Sequence, residues 1–247
     1  MNELLRVQKI IAQSGFCSRR QAEQYIEEGK VKINGIIAKK GDKASINDTI
    51  SINNVQISTN TEKLVYYVLN KPRKTLSTLK DEFGRATVVQ LVPQNPRVVP
   101  VGRLDYDTTG TLLLTNDLEL VNKLTHPRYE ISRIYRVRID EPLKLKEFNL
   151  LNKGIEVNGK MSYQVVDQVE NKSYLVELHV GSYHHVKKLF EAVGRKVLNL
   201  KRVSFANINV EKMPEGTYRN LTIKEVKDLK NLVRMQEEKL QKTSKNE

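Results

Sequence analysis

Over the first forty residues the apolar positions recur first with a helical period and then in short strand-like runs. Within residues 3–13, ELLRVQKIIAQ, Leu4, Val7, Ile10 and Ile11 fall on one helical face, and Gly15 follows as a stop. Ser18 with Gln21 three residues on has the spacing of a capping box, which predicts a second helix running to Glu28 and closing at Gly29. Apolar runs then flank Asn34-Gly35, a dipeptide suited to the positive φ angles of a type I′ hairpin. The predicted unit is helix, helix, hairpin.

A polar stretch near 53–63 interrupts this pattern and reads as a linker. Beyond it β-forming runs recur: LVYYVLNKP, RVVPVG, TGTLLLTND, SRIYRVRID, KSYLVELHV and RVSFANINV. Helical patterning is confined to 117–125, 142–152 and 186–193, until a charged helix near the end frays into a tail. Strands that outnumber helices without regular βαβ spacing predict an α+β fold with a largely antiparallel sheet. The expected organisation is a small domain over 1–60, a larger one over 61–232 and a charged, disordered tail over 233–247. There is no internal repeat.

Composition adds a partner class. The 247 residues carry 42 Lys and Arg against 29 Asp and Glu, a net charge of +13, with 39% hydrophobic residues, enough for a globular core. Such a field favours a polyanion, and nucleic acid is the first candidate. A membrane is not expected, because the chain lacks both an apolar span of about 18 residues and a basic amphipathic anchor. The polar, charged N-terminal segment does not suit a signal peptide, so a soluble, cytoplasmic protein is expected. The single cysteine, Cys17, excludes an internal disulfide framework and fits a reducing compartment.

Placement sharpens the charge argument. Arg19 and Arg20 fall in the first turn of the second helix, where the macrodipole disfavours cations but a phosphate is welcome. Residues 181–202 hold six Lys and Arg against one acid, a density suited to phosphate contacts. In both places solvated surface cations are the plainer alternative.

The candidate chemistry centres on PVGRLDYDTTGTLLLTND, where Asp105 and Asp107 stand two apart. A calcium loop fails on its ligands, since position 5 would be Thr109 and position 12 Asn116. Four histidines and one cysteine offer no zinc spacing, and no phosphate loop, dinucleotide fingerprint or serine elbow occurs, so neither metal nor cofactor is expected. Two readings stay open. One is a turn tied by Asp and Thr side chains. The other is a single nucleophilic carboxylate, which needs an exposed oxygen, a nearby cation and an aromatic surface. Arg103, Tyr135 and Lys187 could supply the last two, although Tyr135 also fits an ordinary strand aromatic and Lys187 and Lys188 a solvated helix face.

VGRLDYDTTGTLLLTND resembles the signature of the RsuA/RluB group of bacterial rRNA pseudouridine synthases. Three further segments match in order: NKPRKTLSTLKDEFGRATV, SRIYRVRI and YHHVKKLFEAVGRKVLNLKRV. SGFCSRRQAEQYIEEGKVKING resembles the small RNA-binding module named for the fourth ribosomal protein of the small subunit. The resemblance implies a pseudouridine synthase fold preceded by that module, and isomerisation of a uridine in ribosomal RNA without metal or cofactor. It makes Asp105 similar to the catalytic nucleophile, Arg103 to the arginine that keeps the target base unstacked, and Tyr135 to the tyrosine that stacks on uracil. Lys187 matches the cation paired with the aspartate, and Leu200 an apolar wall. Arg19, Arg20, Lys30, Lys32, Lys188 and Arg202 are the expected RNA contacts, and Asp107 a turn or capping acid.

The match leans toward the large-subunit branch, with a small-subunit target or a non-catalytic assembly factor as alternatives. A structured rRNA stem-loop is the implied partner and a monomer the implied state. The chain departs from the group's pattern at Arg73-Lys74, at Ser182, at His185 in place of the customary Gln, and after Arg202, where a Gly is usual.

Overall fold

The computed structural model describes residues 4–58 and 63–243. Two compact units emerge, Met1–Val65 with Asn95–Arg97, and Tyr66–Gln94 with Val98–Glu247. In the first, helices α1 (Val7–Gln13) and α2 (Arg19–Glu27) share a core with four antiparallel strands, β1 (Val31–Ile33), β2 (Ile36–Ile37), β3 (Ile50–Ile52) and β4 (Val55–Gln56), in the order β2-β1-β3-β4. Asn34 and Gly35 take φ of 49° and 86°, as a two-residue hairpin between right-twisted strands requires.

Local pairing moves two predicted boundaries and leaves one capping box incomplete. α1 begins at Val7 instead of residue 3, because Leu5 and Arg6 pair with Ala44 and Lys43 as a short antiparallel ladder, leaving Leu4 outside the apolar face. Ser18 does cap α2 by accepting from the Gln21 N–H, but the Gln21 side chain donates to Gln24 and the box stays half formed. The linker expected from residue 53 is shorter, because Asn53 and Asn54 turn the chain into β4 and Ile57 is buried in the core. Residues 59–62 of that expected linker lie outside the described residues.

The second unit is built on a nine-stranded sheet whose path runs β8-β9-β7-β10-β6-β5-β11. These strands are β5 (Tyr66–Lys71), β6 (Thr109–Thr115), β7 (Arg133–Ile139), β8 (Val165–Glu170), β9 (Ser173–Leu178), β10 (Val197–Phe205) and β11 (Tyr218–Asn220). Val99–Pro100 pairs with β6 and Ile208–Asn209 with β10. All pairings along the sheet are antiparallel except β6 with β10, so the expected mixed, largely antiparallel α+β architecture holds.

That single parallel junction is tight. A Cβ on Gly110 would lie 2.2 Å from the main-chain oxygen of Arg202, and Gly110 has φ +103°, so only glycine lets β6 and β10 meet there.

Two apolar clusters pack the helices onto this sheet. Val68, Leu113 and Phe205 receive Leu120 and Leu124 of α3 (Leu118–Thr125) and Leu229 and Val233 of α6 (Ile223–Thr243). Val137, Val176 and Leu200 receive Leu151 of α4 (Leu145–Lys153) and Val186, Leu189 and Phe190 of α5 (His185–Ala192). The tail expected from residue 233 is corrected: Val233 is buried, one turn after Leu229, and α6 continues to Thr243. Residues 244–247 of that tail lie outside the described residues. No helix among the described residues is long and apolar enough to cross a membrane.

Candidate active site

A cleft of about 580 Å³ opens between the two apolar clusters of the larger unit, lined by Phe205 from one and by Leu178, Val186 and Leu200 from the other. Asp105 enters it from the loop leading into β6. Gly102 turns the chain with φ +75°. Leu104 is then clamped by Ser77, whose hydroxyl donates to the Leu104 carbonyl at 2.9 Å and accepts from its N–H at 3.1 Å. The Thr108 N–H donates to the Asp105 carbonyl at 3.1 Å and closes the turn.

Beneath that turn lies a residue absent from the expected site. Lys71, at the end of β5, has no solvent exposure, and its ammonium donates to the carbonyls of Pro72 (3.0 Å), Tyr106 (3.2 Å) and Thr108 (2.9 Å). Burial pushes its pKa down to about 8, while the charges of Asp107 and Asp105 act in the opposite direction. Two signals in the sequence mark it: a lysine closing a largely apolar strand just before proline, and its place in the NKPRKTLSTLKDEFGRATV segment.

The Asp105 carboxylate meets two basic side chains from the start of α5. Lys187 Nζ lies 3.2 Å from Oδ2 and His184 Nε2 3.7 Å from Oδ1, with the aspartate side chain 28% exposed. His184 is a second residue absent from the expected site. It takes a left-handed conformation, φ 52°, and its ring stacks on Tyr183 at 3.9 Å between centroids. Asp107 departs from expectation: it is exposed, its side chain caps no turn among the described residues, and its charge acts on Lys71.

The opposite wall comes from the sheet. Tyr135 on β7 and Leu200 and Arg202 on β10 line the cleft, and the exposed Arg103 lies at its rim. The expectation that Arg202 meets RNA at the surface is corrected. It is 2% exposed, Nε donates to the Thr111 carbonyl at 2.8 Å, and Cζ lies 4.8 Å from the Phe205 ring centre. Strand alternation explains the error, because Leu200 and Arg202 share the inward parity on β10. Its Nη2 finds no partner among the described residues, so a buried donor is left for whatever fills the cleft.

His185, the departure from the usual Gln, carries a network that shapes the loop before α5. Ser162 Oγ donates to Gln164 Oε1 and therefore accepts from His185 Nε2 at 2.7 Å. His185 Nδ1 then accepts from the Ser182 N–H at 3.2 Å and the Ser182 hydroxyl at 2.9 Å. Only neutral imidazole satisfies both sides, and burial lowers the His185 pKa accordingly. Asn158 extends the network by donating to Ser182 Oγ and to the Tyr183 carbonyl (3.0 Å), while Lys188 donates to Asn158. Lys188 is thus tied into the loop that carries His184.

Of the residues expected in the first unit, Arg19 and Arg20 are exposed in the first turn of α2, with no carboxylate in ion-pair reach among the described residues. Lys30 pairs with Glu28 at 2.6 Å and Lys32 donates to Asn54 at 2.9 Å. Among the described residues no group of three His, Cys, Asp or Glu could hold a metal ion. Chemically, the larger unit's cleft offers one carboxylate beside an ammonium and an imidazole, facing a tyrosine and an unpaired guanidinium donor.

Comparisons with known proteins match both units. Residues 65–192 match the RNA pseudouridylate synthase family and residues 5–50 the S4 domain family. The ribosomal large subunit pseudouridine synthase B of Bacillus subtilis (strain 168) is 39% identical over 236 residues, which cover 92% of this chain and 96% of that protein. The dual-specificity RNA pseudouridine synthase RluF of Escherichia coli (strain K12) is 33% identical over 231 residues, 93% of this chain and 79% of that protein. A crystal structure of a pseudouridylate synthase superposes with a TM-score of 0.68 at 31% identity, covering 91% of this chain and 99% of that one. With the lone aspartate in its cleft and this likeness along nearly the whole length, the chain belongs to the RNA pseudouridine synthases.

Proposed function

We propose that the chain converts a specific uridine of 23S, large-subunit, ribosomal RNA to pseudouridine, with Asp105 as the catalytic carboxylate. The observation that carries the reading is the placement of Asp105 against Lys187 at 3.2 Å in a cleft whose other wall holds Tyr135. The large-subunit choice follows the Bacillus subtilis relative, a ribosomal large subunit pseudouridine synthase B. The partner is a structured rRNA stem-loop, and the protein works as a monomer in the cytoplasm.

The isomerisation breaks the bond from N1 to the ribose C1′ and forms a bond from C5 to C1′. N1 gains a proton and C5 loses one, so the product is an isomer and no redox partner enters. The target uridine is flipped out of its stack at a cost of a few kcal/mol. Its ring stacks on Tyr135, with Leu200 as the apolar wall. The unpaired Nη2 of Arg202 is available to an oxygen of the base, replacing the surface contact first expected of it. Arg103 at the rim keeps the vacated stack from reclosing on the base, and Lys187 and His184 hold the Asp105 carboxylate from the other side. Arg19, Arg20 and Lys32 contact RNA phosphates, which fixes register without reading sequence.

The test follows from the atom balance. Unmodified 23S and 16S transcripts carrying tritium at uridine C5 release it when C5 bonds to C1′. Release from the 23S transcript at one mapped position, abolished by Asp105→Asn with RNA binding retained, is the expected result. Release from 16S alone overturns the large-subunit choice, and unchanged release by Asp105→Asn overturns the catalytic assignment.

A further inference from the structure

The segment from Leu76 to Thr87 leaves the cleft and returns to it. Its base is pinned by a bridge between Leu76 and Thr87, with the Leu76 N–H on the Ala86 carbonyl and the Val88 N–H on the Leu76 carbonyl, both at 2.9 Å. Leu76, Ser77 and Thr78 line the cleft itself. The far end is organised by Asp81. Its carboxylate accepts the N–H groups of Phe83 (3.1 Å) and Arg85 (2.9 Å) and both Nε (3.1 Å) and Nη2 (2.7 Å) of the Arg85 guanidinium. The Asp81 side chain is only 8% exposed, and the Arg85 hydrogen bonds hold its carboxyl down at about 2. Gly84 completes the turn at φ +71°.

This pre-organised turn holds out a phenyl ring. Phe83 is 81% exposed, so folding gains almost nothing from its side chain. Arg85 Cζ stands 5.2 Å from the ring centre and braces it. The turn stands on a short arm from the cleft, with Phe83 five residues beyond Thr78 in the cleft lining. A protein partner would call for a contiguous apolar patch. Phe83 stands instead between Glu82 and Gly84-Arg85. A flat ring backed by a guanidinium is the arrangement on which unpaired nucleobases stack, and flipping a uridine leaves its neighbours unpaired.

We infer that Phe83 is a stacking platform for a nucleobase flanking the uridine held in the cleft. The inference rests on the reading of an RNA uridine as substrate. It concerns a different part of the RNA from the flipped base, and the Phe83 side chain touches no reacting atom.

The chain has no tryptophan, so Phe83→Trp installs a single indole fluorophore at the platform. The probe is the unmodified 23S transcript with tritium at uridine C5. Emission from the Phe83→Trp variant falls on addition of the transcript, because stacking on a base quenches indole. Phe83→Ala raises KM about ten-fold with kcat within about two-fold, Phe83→Trp restores KM, and both variants melt with the wild type because the ring is exposed. An unquenched indole, an unchanged KM in Phe83→Ala, or a Phe83→Trp as impaired as Phe83→Ala overturns the inference. If the transcript quenches the indole while the wild type releases no tritium, stacking stands and the 23S reading falls. Tritium release without quenching has the opposite meaning.

Discussion

One hydroxyl, that of Ser77, satisfies both main-chain polar groups of Leu104, donating at 2.9 Å and accepting at 3.1 Å. Both residues are buried, so no water replaces the hydroxyl once it is lost. Ser77→Ala is expected to cost about 1–3 kcal/mol in urea unfolding and to lower kcat more than it raises KM, because the residue set adrift next to Leu104 is Asp105. Equal tritium release by Ser77→Ala and wild type would show that the clamp does not position the carboxylate.

How much of the site is readable in the chain divides by distance. Asp105, Arg103 and the turn lie within one short segment, and the segments that carry the family resemblance bring Tyr135 and Leu200 into the same cleft and Lys187 to within 3.2 Å of Asp105. Lys71 escapes a sequence reading because its role consists of carbonyls 35 and 37 residues away, which no local pattern reports. Arg202 is misplaced when a high density of cations is read as surface, although strand parity already turns it inward. The adjacent histidines diverge: His184 reaches Asp105, and His185 the serines of the loop network. That divergence argues against zinc, but it also hides what each one contacts. The tail is misread because only Leu229 and Val233 in a highly charged helix belong to the buried core.

Lys71 makes a prediction about alkaline pH. Its pKa is about 8 in the folded protein against 10.5 for an ordinary lysine, so between these values the unfolded chain binds the extra proton. Stability then rises with pH across that window, and the burden of the buried charge is fully present below pH 8. Relative to Lys71→Met, which has no such titration, the wild type should gain up to about 3 kcal/mol between pH 8 and 10.5. Urea unfolding of both proteins across that range measures the difference.

His185 predicts the acid side. Its pKa is depressed, chiefly by burial, so the contribution of the neutral ring is complete above pH 6.5 and is lost as pH falls through the folded value. Protonated Nδ1 would confront the Ser182 N–H, opening the loop that carries His184. The wild-type melting temperature should therefore drop below pH 6.5 more steeply than that of His185→Gln, which titrates nowhere in this range. Parallel melting curves from about pH 7.5 to 5 would contradict the neutral-ring assignment.

Gly110 tests the parallel junction. Gly110→Ala sets a Cβ 2.2 Å from the Arg202 carbonyl at φ +103°, and neither strand can yield without moving Arg202 or the loop of Asp105. A loss of about 2–4 kcal/mol is expected, combining overpacking with backbone strain. Because Arg202 lines the cleft, whatever folded protein remains should also bind RNA substrate less well, which a KM measured below the melting range would reveal.

Asp105 and Asp107 stand two residues apart, and their substitutions should separate cleanly. Asp105→Asn removes the carboxylate facing Lys187 and should abolish pseudouridine formation, whereas Asp107 is exposed and Asp107→Asn should retain it. Asp107 is nonetheless the first of the charges that oppose the effect of burial on Lys71. Neutralising it should therefore lower the Lys71 pKa further and start the alkaline rise in stability at a lower pH, with turnover at neutral pH close to wild type. An alkaline profile identical to wild type would leave Asp107 without the electrostatic role that its position assigns it.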